Sequence, residues 1–440
     1  MLWKSEIIVQ LGFWLSWLVI PLVYEVIPAI GSFLTLRFAV RKWQREVPAV
    51  KLPSISLIIS VYNSADSLYQ CIESVARSSY PNEKIRIIIA NNHSSDNSFA
   101  VYQQAHTKFK RLLMQWIDTD KGKAQALNAA IYAASGKYVV HIDSDGVLEH
   151  DALKNIVVHL EDNPDIDALT GTILTQWKSI LRTPGWCLRF FRKNEFFEYA
   201  QSFLAGREFE SQANHLFTMS GAFSAFRREK LLRTKLYNIK SVGEDIDMTF
   251  QIRYLIKGKV LLCPNALFLV DPISGFNKLY TQRQRWQRGE LEAIHYFMAN
   301  RLGIQHFGNN FIVRRLVMDH TVLLLRIIWL AAFAVLIPLG YSASLILLSF
   351  ALIYVLYIGI CLLNFINICA YLKRFPQIRY FYQKNWYIII TLPLYYLVCS
   401  LIQVVGLINA MEVPAKWKTR TFSDEISSIK RIIVKDITRK

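Results

Sequence analysis

Two carboxylates one residue apart, Asp143 and Asp145, end the apolar, β-branched run Tyr138–Ile142. The run reads as a strand buried in a sheet. Ligands of open α/β sheets collect outside the carboxyl ends of strands, so Asp-Ser-Asp stands where a site would be built. Carboxylates at this spacing can share a hard divalent cation, which neutralises the phosphates of a nucleotide. The same residues also make a common turn, with each Asp bonded to its own backbone. The rest of the chain weighs between the two.

Three further stretches offer chemistry. In Lys121–Asn128, K-G-K-A-Q-A-L-N, Gly122 lets the backbone approach a ligand, and Lys123 opposes the positive end of a helix dipole. That placement costs a little unless an anion such as phosphate lies nearby, although a solvated lysine explains it as well. Val242–Asp247, V-G-E-D-I-D, crowds three carboxylates at a helix start. They compensate the dipole, or Asp245 faces a cleft as the general base that glycosyl transfer to a hydroxyl requires. Tyr280–Gly289, Y-T-Q-R-Q-R-W-Q-R-G, is a basic helical stretch in which Arg285 offers a fork suited to diphosphate and Trp286 a face suited to a sugar ring.

The elements that must position these residues alternate. Ile55–Val61 and Ile85–Ala90 read as buried strands around a helix over Ala65–Ala76, and Leu112–Ile117 as a third strand. Ala124–Ala134 reads as a helix, His150–Leu160 as an amphipathic one, and Ala168–Ile173 as another strand. Strand, helix, strand with polar loops predicts a parallel α/β sheet. Polar residues 63, 91, 92 and 96 would gather on one rim, as ligand groups or only as caps and turns. The segment Trp177–Phe217 reads as packed amphipathic helices, or as a surface for sugar faces or the membrane, and Met219–Arg228, M-S-G-A-F-S-A-F-R-R, as small residues before a short aromatic strand that admit a sugar to the backbone or only permit tight packing.

Hydrophobic content is 53% of 440 residues, and the excess lies at both ends. Ile7–Tyr24, Ile327–Leu372 and Asn385–Met411 carry no charge, and about 20 apolar residues span a bilayer. Arg37, Arg41, Lys42 and Arg45 follow the first run, which predicts a cytoplasmic domain after it. Three spans near 317–339, 343–370 and 386–410 would place the tail outside, yet the tail's eight basic residues between Lys416 and Lys440 favour the inside. Asp319, His320 and Arg326 burden the first of these spans, so part of it is expected to lie along the interface or re-enter. The net charge of +18 is explained by solvated faces, anionic lipid and a phosphate-bearing substrate, without a nucleic-acid partner. Cysteines 71, 187, 263, 361, 369 and 399 form no C-x-x-C pair and read as reduced packing residues.

Taken together, these stretches resemble the family 2 glycosyltransferases, most closely the membrane-embedded processive branch of cellulose, hyaluronan and bacterial poly-N-acetylglucosamine synthases. The resemblance covers about Pro53–Arg301. It implies a GT-A fold, a Rossmann-like and mostly parallel α/β sheet, flanked by transmembrane helices. Asp143-Ser144-Asp145 matches the family's D-x-D, implying Mg2+ or Mn2+ on Asp143 and Asp145. Asp245 matches the base of T-E-D, Gln282–Trp286 matches Q-x-x-R-W, and Lys123 falls in a stretch beside the nucleotide. Asn92 stands where relatives carry an acid that reads uracil; an amide still accepts a hydrogen bond but supplies no charge.

The implied activity is inverting transfer from a nucleotide sugar, UDP-GlcNAc first, to a growing polysaccharide exported through a multi-pass cell-membrane protein. The alternatives are single addition to a lipid-linked acceptor and, because of Asn92, a silent membrane scaffold. Membrane lipids and an accessory membrane subunit are further expected partners. The expected organisation is an anchor and basic collar at 1–47, a transferase domain at 48–305, membrane and interfacial helices at 306–411 and a basic tail at 412–440.

Overall fold

The computed structural model describes residues 21–43, 51–298, 335–412 and 421–427, with scattered residues between 313 and 332. Residues 7–20, Arg45, Asp319, His320, Arg326 and the basic residues of the tail lie outside the described residues. In chain order the elements are α1 (Ile27–Trp43), β1 (Ile55–Val61), α2 (Leu68–Ala76), β2 (Ile85–Asn92), α3 (Ser98–Lys108), β3 (Leu113–Thr119), α4 (Lys123–Ala133), β4 (Tyr138–Asp143) and β5 (Gly146–Leu148). There follow α5 (Ala152–Asp162), β6 (Ala168–Thr175), α6 (Trp177–Arg182), α7 (Trp186–Tyr199), β7 (Phe223–Arg227), α8 (Glu244–Phe250), β8 (Val260–Val270) and α9 (Phe276–Met298). The last are α10 (Ala343–Tyr371), α11 (Pro376–Lys384) and α12 (Ile388–Glu412). Two compact units result, residues 1–42 with 300–400, and residues 43–299 with 401–440.

In the second unit the strands form one sheet in the order β3-β2-β1-β4-β7-β6-β8-β5. The first four are parallel, β7 runs antiparallel to both its neighbours, and β6 and β8 are parallel. Period-2 alternation divides each inner strand between two cores. Ile55, Leu57, Ile59 and Val61 pack with α2 and α5, whereas Ile58 packs with Ala126, Leu127 and Ala130 of α4 on the other face. This mostly parallel, doubly wound sheet is of the GT-A class. Parallel register sets Ser60 of β1 beside Ala90 of β2 and Asp143 of β4, so the carboxyl ends of these strands form one rim.

The strands expected from apolar runs are present, with β2, β3, β4 and β6 each running one or two residues further into the polar ends. The helix expected from Ala65 begins only at Leu68, because Ser64 to Ser67 is used in a turn closed by the Ser67 N–H to Ser64 carbonyl bond.

In the first unit α1 and α10 pack parallel. Tyr357 donates to Glu25 at 2.7 Å, Asn367 to the Phe33 carbonyl at 3.1 Å and Tyr371 to the Leu36 carbonyl at 3.4 Å. Among the described residues, three helices are long and apolar enough to cross a membrane: Leu22–Trp43, Ala343–Arg374 and Ile388–Ala410. The basic residues Arg37, Arg41 and Lys42 lie within the last turns of the first of these helices.

Candidate functional site

Asp143 closes β4 with its carboxylate above the rim. Its Oδ1 accepts from Ser60 Oγ at 2.8 Å and meets Lys123 Nζ at 2.7 Å. His141, two residues earlier and so on the same strand face, stands with Nε2 at 3.6 Å from the same oxygen. Burial alone would raise the Asp143 carboxyl, but Lys123 and His141 hold it well below the usual carboxylate range. The anion that Lys123 requires at a helix start is therefore supplied by the protein itself. Lys123 also lies 3.5 Å from Glu244 Oε1 and donates to the Gly221 carbonyl at 3.4 Å. Burial lowers its ammonium, yet Asp143 and Glu244 outweigh that and keep it well above its ordinary value.

Gly122 places Lys123 there. With φ at +148° it adopts a backbone that favours glycine, and its N–H is taken by Asn92 Oδ1 at the end of β2. Asn92 thus holds the loop that presents Lys123. The neighbouring rim groups are likewise engaged with each other. Asn63 Oδ1 accepts from the Ser95 N–H at 2.8 Å, Asn91 Nδ2 donates to Asp118 at 2.8 Å, and Asp96 Oδ2 accepts from the Ala65 N–H at 2.8 Å. They do gather along one rim, and the bonds they make there are those of turns and caps.

Asp145 lines a separate recess of about 190 Å3 with Gln70, Gln176, Lys178, Arg182 and Asp271. Its carboxyl is desolvated there although the residue opens to solvent on one side. That desolvation, with the charge of Asp143, pushes it up to about 6. A carboxyl raised by a like charge beside a second carboxylate is a pair that a hard cation relieves, so the donor set fits Mg2+ or Mn2+. Among the described residues no three His, Cys, Asp or Glu side chains group to cage a metal, so the remaining ligands would have to be phosphate oxygens and water.

Asp245 begins α8, half-buried, where Oδ2 accepts from the Gly221 N–H at 3.3 Å and Oδ1 from the Ile246 N–H at 2.9 Å. Gly221 therefore joins the two halves of the site, its carbonyl on Lys123 and its N–H on Asp245. The start of α8 is fixed against α9. A Cβ on Gly243 would lie 2.8 Å from Gly289 Cα, and Glu292 accepts from the Val242 N–H at 2.9 Å. Gln282, Arg285, Gly289 and Glu292 follow at helical spacing, so Gln282 and Arg285 share the side of α9 that carries Gly289 and Glu292.

Trp286, half-buried, contacts Phe203 edge-on at 5.7 Å between centroids, and Gln282 donates to the Tyr199 hydroxyl at 3.3 Å. Beneath them Arg283 forks onto Glu198 at 2.7 and 3.0 Å, fully buried, and lies over the Trp286 ring at 4.5 Å. Next to this pair Glu195 accepts from the Ile273 N–H, and burial followed by the charge of Glu198 pushes its carboxyl up to about 8.

Asp143 and Lys123 are thus in direct contact, Asp245 is joined to Lys123 through Gly221, and Asn92 through Gly122. Asp145 lies on the recess beside them, and Gln282, Arg285 and Trp286 on α9. Sequence reading missed Ser60, His141, Gly221, Glu244 and the Glu198–Arg283 pair. The period-2 relation of His141 to Asp143 was a usable signal, and so was Arg283 lying three residues before Trp286 on a helix. Nothing local to Glu198 announces a partner 85 residues away.

Residues 56–233 match the family described as glycosyl transferase family 2. A poly-beta-1,6-N-acetyl-D-glucosamine synthase of Staphylococcus epidermidis is 27% identical over 244 residues, 56% of this chain and 56% of that one. One of Staphylococcus aureus (strain MSSA476) is 25% identical over 278 residues, 62% of this chain and 63% of that one. The matched part thus spans under two thirds of these curated relatives' length. Among solved structures, a mannosyltransferase of Pyrobaculum calidifontis in complex with GDP-Man and Mn2+ superposes with a TM-score of 0.55 at 18% identity, covering 79% of this chain and 95% of that one. Residues 56–233 are thus similar to glycosyl transferase family 2, within a domain whose fold is shared with that mannosyltransferase structure.

Proposed function

We propose that this chain is an inverting, metal-dependent glycosyltransferase that moves N-acetylglucosamine from UDP-GlcNAc to a growing polysaccharide, with its catalytic domain on the cytoplasmic side of the membrane. The observation that carries this reading is the unbroken set of contacts from Asp143 through Lys123 and Gly221 to Asp245. It sets phosphate-binding groups next to a carboxylate whose two oxygens are oriented by backbone N–H groups.

Asp245 serves as the base. As the acceptor hydroxyl oxygen bonds to the anomeric carbon, the bond from that carbon to the diphosphate breaks and the hydroxyl proton passes to Asp245. Asp143 and Asp145 would hold Mg2+ or Mn2+, which supplies charge neutralisation for the departing diphosphate. Lys123 and Arg285 add positive charge at the phosphates, and the Trp286 face, stiffened by Arg283, stacks on the acceptor sugar. Asn92 accepts from Gly122 in the loop before α4, so it contributes by placing Lys123 rather than by supplying charge to the nucleobase.

The choice of UDP-GlcNAc and of a polymeric product rests on the likeness to the staphylococcal synthases. Washed membranes containing the chain, given labelled UDP-GlcNAc, UDP-glucose or UDP-GlcA with Mg2+ or Mn2+, are expected to make a high-molecular-weight product from the first alone. A short, lipid-extractable product would favour addition to a lipid-linked acceptor, and neither transfer nor hydrolysis from any donor would leave a silent scaffold.

A further inference from the structure

We propose that two segments far apart in sequence form a single collar that binds the phosphates of anionic lipids on one leaflet. The first is the end of α1, with Arg37, Arg41 and Lys42; the second runs from the end of α10 through α11, with Lys373, Arg374, Arg379 and Lys384.

Parallel packing brings them together. The Tyr371 hydroxyl donates to the Leu36 carbonyl, so the end of α10 lies near the level of Leu36, about two turns before α1 ends, and both basic sets follow that level in sequence. At about 1.5 Å per residue Lys42 stands roughly 9 Å past Leu36, the depth of a headgroup layer. No acidic residue occurs in sequence from Ile27 to Trp43 or from Ala343 to Ile390. Arg37, Arg41, Lys42, Lys373 and Lys384 are exposed.

The chemistry of α11 favours a lipid surface over a soluble anion. Its one face buries Ile378, Phe381 and Tyr382, while Tyr380 is 65% exposed, and just beyond it Trp386 is 57% exposed. Amphipathic aromatic rings alternating with Lys and Arg, between two helices able to cross a membrane, are the composition of a headgroup-level segment. Lys384 lies 5.9 Å over the Tyr380 ring, so its charge is held at the level of that ring. Each cation near an anionic leaflet is worth about fivefold in affinity.

The test uses the full chain purified in detergent and offered an equimolar mixture of dioleoylphosphatidylglycerol and dioleoylphosphatidylcholine, with retained lipid counted by native mass spectrometry. The wild type is expected to retain phosphatidylglycerol about tenfold over phosphatidylcholine. The variants R37Q/R41Q/K42Q and K373Q/R374Q/R379Q/K384Q are each expected to lower that ratio at least fivefold, and K121Q/K154Q/K240Q on the other unit to leave it unchanged. The double variant K373Q/K384Q alters only exposed side chains and is expected to lower the ratio at least threefold even if the larger variants fail to fold. No preference in the wild type, or an unchanged preference in K373Q/K384Q, would overturn the proposal, as would loss of the preference when inorganic phosphate is added at equal ionic strength.

Discussion

At the level of single residues the site is built around one buried cation, Lys123, set among more carboxylates than it can neutralise. Lys123 neutralises Asp143, and Asp145 carries the charge left over. Because the Asp145 carboxyl is raised to about 6, it is protonated below that pH and must lose the proton before it can hold a cation. The concentration of Mn2+ needed for half-maximal transfer is therefore expected to rise roughly tenfold for each pH unit below about 6, and to level off above pH 7. In D145N the pH-dependent part of the requirement should vanish along with most of the activity.

Glu195 gives a second, structural pH effect of the same origin, burial beside a like charge, but of opposite sense. Its carboxyl is raised to about 8 in the folded state, so the neutral form is favoured there. The stability it contributes is complete below the unfolded value near 4.5 and is lost as pH rises through 8. Thermal unfolding followed from pH 5 to pH 9 is expected to show wild-type stability falling by about 2–4 kcal/mol, and E195Q to flatten that fall.

Between elements, the decisive contact is the crossing of α8 over α9, where Gly243 and Gly289 meet backbone to backbone. A methyl on either has no flexible neighbour to displace, so the start of α8 must shift and carry Asp245 with it. G243A and G289A are each expected to cost about 1–3 kcal/mol in stability and at least tenfold in kcat, with UDP affinity kept within about threefold; unchanged kcat in a folded variant would show that this crossing does not place the base.

The same scale explains what the sequence could and could not disclose. Strands β1, β2 and β4 were legible because inner parallel strands are continuous apolar runs that stop where polar ends begin. Strand β8 was not, since Pro264 and Asn265 interrupt it and its pairing with β6 slips at Gly171 and Thr172. The carboxylates and Lys123 stood out by type and spacing, but Gly221 acts through its backbone and carries no side-chain signal at all.

For the whole molecule, the parallel course of α1 and α10 makes a statement about sidedness. If both cross the membrane, their carboxyl ends share one face and the start of α10 lies on the other. Residues 421–427 belong to the transferase unit. There Glu425 accepts from Tyr280 and from Asn409, and Ser423 pairs with Asn277. An impermeant thiol reagent applied to intact cells is thus expected to label cysteine at Tyr341 but not at Gln383 or Ser427, a pattern that requires α12, although long and apolar enough, not to cross the membrane. Labelling of Ser427→Cys from outside would contradict the inside tail.

The central claim is that Asp245 takes the acceptor's proton within a site assembled around Asp143 and Lys123. It is tested most directly by comparing wild type and D245N in the same washed membranes, measuring labelled GlcNAc transfer and UDP binding side by side. We expect transfer to fall at least about a hundredfold in D245N while UDP binding stays within about threefold. Transfer within a few-fold of wild type, or loss of UDP binding in step with transfer, would contradict it.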